Sequence, residues 1–285
     1  MLTSEVEARS ILTRTTGYLK TVCSHSLQPY RGCPFGKALC GVGCYVQHNR
    51  YVTQGRPWGS FLEVRVNAAE VYARDFAREQ RWARRSRGGF VIFLSSATEP
   101  FPPSESRHKV TAGVLEAMID RSPDGLIVQT HSRRVAEHVE VLKRLSRLTS
   151  LRVHVSIETD LDVIPGLPRH ADPIGARFDA VERLKREGVR VIVTVSPLLP
   201  IGDPERFFER ISQVADGVVI DHFIGGDGSA NGSRTLRTAL PEAMSRIDPE
   251  STDLSYRDRM CALARRYLPG RVGTSIDGFA DRNWS

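Results

Sequence analysis

The stretch Phe90-Val91-Ile92-Phe93-Leu94, followed at once by Ser95-Ser96-Ala97-Thr98-Glu99-Pro100, decides how the chain is read. Five apolar residues in a row, rich in β-formers, predict a strand covered on both faces, which is the habit of parallel sheets. A helical pattern over Lys109 to Asp120 comes next, and the alternation continues. Strands are expected at Leu126 to Thr130, Arg152 to Ile157, Arg190 to Val195 and Gly217 to Asp221, and helices at Val135 to Leu148, Ile174 to Glu187 and Glu205 to Val214. Strand followed by helix, repeated in this way, means α/β architecture with a parallel sheet, and right-handed crossovers coil such units into a partial or complete barrel.

Upstream of this series lies Pro29-Tyr30-Arg31-Gly32-Cys33-Pro34-Phe35-Gly36-Lys37-Ala38-Leu39-Cys40-Gly41-Val42-Gly43-Cys44-Tyr45, which holds three of the five cysteines in one glycine-rich loop. Three close thiols point to a metal. A structural zinc wants four ligands and would need Cys23, His25 or His48 to close its shell. An iron–sulfur cluster suits a count of three, because one iron left without a protein ligand can bind a small molecule directly. Thr16 to Cys23 is expected to be a strand leading into this loop. Phe61 to Val66 reads as a second extended piece, followed by a helix from Ala68 to Trp82 and a break at Gly88-Gly89.

The loop resembles that of radical S-adenosylmethionine enzymes, and among them the spore photoproduct lyase-like (DNA repair photolyase-like) branch. Cys44-Tyr45-Val46-Gln47 and Val64-Arg65-Val66-Asn67 are similar to that branch's Cys-Tyr-Leu-Gln and Tyr-Val-Asn stretches. The spacing departs from the family's three and two, since six residues separate Cys33 from Cys40 and three separate Cys40 from Cys44. The resemblance implies a 4Fe-4S cluster on Cys33, Cys40 and Cys44, S-adenosyl-L-methionine as cofactor, and an external one-electron reductant of flavodoxin or ferredoxin type. It also implies a partial (β/α)6 TIM-type barrel over residues 1–222. Residues 223–285 are expected to be a loop and helical extension. The extra residues Pro34 to Leu39 are expected to bulge outward, and Gly225 to Ser233 reads as a flexible loop, lid or linker.

Ligands of parallel α/β folds collect at the carboxyl ends of the strands, and here those ends are polar. Ser96, Thr98 and Glu99 follow the first strand, His131 and Ser132 the next, Ser156 and Glu158 the third, then Thr194 to Pro197 and Asp221-His222. Glu99, Thr98 or Ser96 can accept from an ammonium, His131 or Ser132 can donate to a carboxylate, and Ser156 and Glu158 can take ribose hydroxyls. Any of these serines and threonines is also a preferred helix N-cap. The resemblance extends to these places. Ser95 to Pro103 is similar to the family's Ser-x-Thr-Asp-Pro-Tyr-x-Pro motif, Thr130-His131-Ser132 to its Thr-Lys-Ser, Ser156 to a ribose-contacting serine, and Tyr45 to the tyrosine after its last cysteine. The cysteine that the lyases carry just before this motif is missing, for Ser95, Ser96 and Ala97 stand there.

Forty lysines and arginines against 33 acidic residues leave a formal charge of +7. That excess suits an anionic partner, and the run Arg74 to Arg87, together with Arg234 and Arg237, raises a nucleic acid or nucleotide-like anion as partner. Asp75 and Glu79 interleave as on a solvated helix face. No apolar run reaches the roughly 20 residues that a bilayer crossing needs, no signal peptide is visible in Met1 to Arg14, and clustered thiols suit a reducing cytoplasm. The expected activity is that of a radical enzyme acting on a DNA photoproduct, a nucleotide-like molecule or another small substrate. The competing reading is a zinc-containing nucleic-acid-binding protein.

Overall fold

The computed structural model describes all 285 residues. Its strands are β1 (Leu2–Val6), β2 (Leu12–Arg14), β3 (His25–Leu27), β4 (Tyr30–Gly32), β5 (Phe61–Arg65), β6 (Val91–Leu94), β7 (Gly125–Thr130), β8 (Ser150–Ser156), β9 (Val191–Val195), β10 (Gly217–Ile220) and β11 (Val272–Thr274). The larger sheet has eight strands in the order β11-β10-β9-β8-β7-β6-β3-β2, all parallel to their neighbours except β2, which pairs antiparallel with β3. A smaller sheet, β1-β5-β4, carries the cysteine loop at the end of β4.

The period-2 alternation of the strands sorts their side chains. Ile92, Leu94, Leu126, Val128, Val153, Val155, Val191 and Val193 pack outward under the helices in the main core. Phe93, Ile127, Ile192 and Val219 form a second cluster with Val22, Cys23 and Phe279, and this cluster fills the concave side. Burying each such large apolar side chain contributes about 1.5–3 kcal/mol. Two residues further along the same parity stand Ser95, Gln129, Thr194 and Asp221, so that the concave face turns polar where the strands end.

The helices over Val110–Asp120, Ile174–Arg186 and Pro204–Val214 match their expected places. The last starts where Asp203 accepts from Arg206 N and Pro204 occupies the first turn. The helix expected to end at Trp82 runs on to Arg87 and stops at Gly88, whose φ of 75° only glycine adopts without strain. The expected strand over Thr16 to Cys23 is not formed. Gly17 takes a φ of 56°, and a 3-10 turn over Gly17–Thr21 separates β2 from β3.

The sheet does not stop near residue 222. The segment 223–285 forms helices at Leu240–Ile247 and Leu254–Tyr267 and then returns to add β11 beside β10. Beyond it, Ser285 exchanges two backbone hydrogen bonds with Val272, each of 3.1 Å. Phe279 reaches the concave cluster, and Trp284 packs on Gly217 and Gly273, where a β-carbon would collide with its ring. Residues 225–233 are tied to one buried carboxylate. Asp227 accepts from the backbone N–H groups of Ser229, Arg234 and Thr235 at 2.9, 3.0 and 2.8 Å.

Candidate active site

At the carboxyl end of the parallel strands lies a cavity of about 610 Å³ whose wall includes Cys33, Cys40 and Cys44 on one side and Gln129, Ser196 and Asp221 on the other. No disulfide joins the thiols. Burial pushes all three thiols upward, Cys44 to about 11 and Cys33 and Cys40 further; Cys33 is also raised by Cys44 and Glu99, and Cys40 by Cys33 and Glu158. The protein alone thus keeps them protonated, and a cationic centre is the kind of group that would displace their protons.

The donor set distinguishes between metals. No three His, Cys, Asp or Glu side chains converge closely enough to hold a single ion. His25, one proposed fourth ligand, has its ring nitrogens 3.1 Å from Ser24 Oγ and 3.1 Å from Glu79 Oε2. Cys23 lies in the concave apolar cluster, and neither it nor His48 is on the cavity wall. Three thiols opening on one larger space suit a cluster with an open side better than a closed zinc shell.

The long spacing is absorbed by structure. Pro34–Lys37 makes a 3-10 turn and Leu39–Val42 one helical turn. The expected outward bulge is confined to Lys37, because Phe35 lines the cavity and Leu39 is buried with Leu240 and Met244. Gly41 is required here, since a β-carbon would meet the carbonyl of Gly36.

On the opposite rim, Tyr45 OH donates to Ser96 O at 2.7 Å, and Gln28 bridges the motif, donating to Ser96 Oγ at 2.9 Å and accepting from Thr98 Oγ1 at 3.0 Å. Glu99 lies on the cavity wall and is buried. It accepts from Phe101 N at 2.9 Å, Thr130 Oγ1 at 2.5 Å and His131 N at 2.9 Å. Burial outweighs these donors and raises its carboxyl above the ordinary range. The His131 ring is 3.0 Å from Glu158 Oε1, and Arg177 holds the other oxygen at 2.8 Å. Burial alone would raise Glu158, but Arg177 and His131 hold it well below the usual carboxylate range.

Tyr45, Ser96, Thr98, Glu99, His131 and Ser156 all reach the cavity wall, whereas Ser132 and Glu158 do not. Ser132 caps the 3-10 turn that follows, accepting from Arg134 N at 3.2 Å, and donates to Asp172 at 3.1 Å. Glu158 is engaged by Arg177 and so holds His131 rather than facing a ligand. Gln28, Gln129 and Asp221 received no role from the sequence. Gln129 donates to Ser156 Oγ at 2.7 Å and Thr194 Oγ1 at 2.9 Å. Gln129 and Asp221 stand at strand ends that the sequence already marked as polar, and strand parity counted from Ile127 and Val219 turns both to the concave face.

The basic run of the long helix is elsewhere. Arg74 pairs with Asp75, Arg78 with Glu79 and Arg84 with Asp124, while Arg87 donates to Thr15 O, and none of these lines the cavity. The arginines that do are Arg31 and Arg65. No helix is long and apolar enough to cross a membrane.

No family model matches this chain. The fold is that of spore photoproduct lyase. One mutant solved with dinucleoside spore photoproduct superposes with a TM-score of 0.60 at 16% identity, over 95% of this chain and 80% of the lyase. A second, a double mutant with bound AdoMet and dinucleoside spore photoproduct, gives 0.59 at 13% identity over the same shares. Among curated sequences, the uncharacterized protein ORF301 of the Acidianus two-tailed virus is 25% identical over 208 residues, which is 68% of this chain and 62% of the relative, so the match spans under two thirds of that protein.

Proposed function

We propose that this protein is a radical enzyme in which Cys33, Cys40 and Cys44 hold a 4Fe-4S cluster and the adjoining cavity holds S-adenosylmethionine. When bound, this pair supplies a 5′-deoxyadenosyl radical that takes a hydrogen atom from a substrate. The observation that carries the reading is the three thiols, free of disulfides, opening on one cavity among polar strand ends, in the fold that spore photoproduct lyase shares. The chain's own part is to bind, orient and exclude water. Glu99 offers a buried acceptor beside the thiols for the cofactor's ammonium. His131, whose ring lies 3.0 Å from Glu158, lines the wall where the cofactor's carboxylate would lie, and Ser156 lines it for its ribose. An external one-electron reductant of flavodoxin or ferredoxin type is part of the proposal.

Anaerobic reconstitution with iron and sulfide, followed by dithionite and S-adenosylmethionine, tests it. The expected result is a brown protein that forms 5′-deoxyadenosine, and stoichiometric zinc with no such product would overturn it. For the substrate we propose a nucleotide-like anion, with Arg31 and Arg65 on the wall as its phosphate contacts. Reversal through a cysteine has no support, because Ser95, Ser96 and Ala97 line the cavity where that thiol would stand. Labelled DNA should bind at low salt with a slope near −0.9 per phosphate neutralised. Absence of binding at any salt would favour a small nucleoside, sugar or peptide.

A further inference from the structure

Asp221 directly follows β10 on the cavity wall and is 3% exposed, yet little in the chain answers its charge. Its Oδ2 accepts from Ser196 Oγ at 3.2 Å, the Ser275 hydroxyl stands beside it, and its Oδ1 has no hydrogen-bonded protein partner. It forms no ion pair, for Arg257 acts on it only through space. Four further polar atoms of wall residues are also without a protein partner: Tyr18 OH, Trp58 Nε1, Ser95 Oγ and Gln129 Oε1. Gln129 and Asp221 are joined through β9 and its end, the first by its bond to Thr194 and the second by its bond from Ser196. Gly226 packs directly on the carboxylate, where a β-carbon would collide with it.

A buried carboxylate with one oxygen left unpartnered is costly unless a ligand completes it. An anionic group is repelled there. An ammonium only donates, whereas a hydroxyl both donates and accepts and can therefore match the carboxyl and its hydroxyl neighbours together. Burial pushes Asp221 up to about 6, so both of its protonation states matter near neutrality, and a hydroxyl serves either. We infer that Asp221, with Gln129 beside it, recognises a hydroxyl-bearing ring of the molecule in this cavity, either the ribose of the cofactor or a sugar-like part of a separate substrate. The inference rests on the proposed cofactor reading only for the first of these sources.

The test uses the reconstituted full-length protein, wild type, Asp221→Asn and Gly226→Ala. The first variant keeps the side chain's shape, and the second displaces the carboxylate from the other side. Adenosine and 2′,3′-dideoxyadenosine are titrated calorimetrically, and ribose, glucose and myo-inositol are compared by thermal melting. If the ribose is the source, wild type prefers adenosine by about tenfold or more and both variants lose that preference. If a separate ligand is the source, one of the three polyols raises the melting temperature of wild type but of neither variant. Failure of wild type to discriminate the nucleosides or respond to any polyol overturns the proposal, as do variants that respond like wild type. A polyol response in a protein that forms no 5′-deoxyadenosine would instead count against the radical reading and leave this one standing.

Discussion

His131 joins two buried carboxylates: its backbone N–H donates to Glu99 at 2.9 Å while its ring stands 3.0 Å from Glu158. Glu158 in turn is paired with Arg177, and both side chains are 2% exposed. The wall of the candidate site therefore depends on an ion pair that lies behind it rather than on it.

Replacing Glu158 by Gln should be strongly destabilising. Arg177 would be left as a buried, uncompensated charge, and breaking such a pair from one side costs about 3–5 kcal/mol. Urea unfolding of the variant measures this. A loss below about 1 kcal/mol would show that Arg177 finds another partner.

Acid should expose a second carboxylate. Burial acts to raise Glu79, but Arg14, Arg78 and His25 bring it down to about 2. Its folded value is depressed, so its contribution is fully present above the ordinary 4.5 and is lost as pH falls from there toward 2. The urea midpoint of wild type is expected to fall through that window, and that of Glu79→Gln to start lower and change less. Parallel curves for the two proteins would assign the acid sensitivity elsewhere.

Each of Cys33→Ala, Cys40→Ala and Cys44→Ala is expected to lower iron and sulfide after reconstitution to near background, while Cys23→Ala and Cys261→Ala, off the cavity wall, retain them. Iron analysis with the visible absorbance decides it, and full iron in any of the first three would remove that residue from the ligand set.

Glu99→Ala should weaken S-adenosylmethionine binding about ten- to a hundredfold, since a charge-assisted hydrogen bond is worth about 1.5–3 kcal/mol. It would also free Thr130 Oγ1 and His131 N. Calorimetric titration with the cofactor is the check, and unchanged affinity would confine Glu99 to holding that turn.

Gly217→Ala is expected to cost about 1–3 kcal/mol, because the added methyl meets the Trp284 ring. A red-shifted tryptophan emission should accompany the loss. Unaltered emission and stability would mean that the C-terminal tail is not seated against the sheet.

The strand–helix alternation from Phe90 to Ile220 was legible in the sequence, because apolar period and turn residues are local properties. The clustering of Cys33, Cys40 and Cys44 and the polarity of the strand ends were legible for the same reason. The rest depends on contacts distant in sequence. Ser132 and Glu158 looked like ligand-facing residues but are claimed by Asp172 and Arg177, 40 and 19 positions away. The three residues of β11 are too short to show a period, and they form a strand because β10 offers them an open edge 54 residues earlier in the register Val218 to Val272. Asp221 was visible as a strand end. Its missing partner was not, since an unpaired atom is a property of everything packed around it.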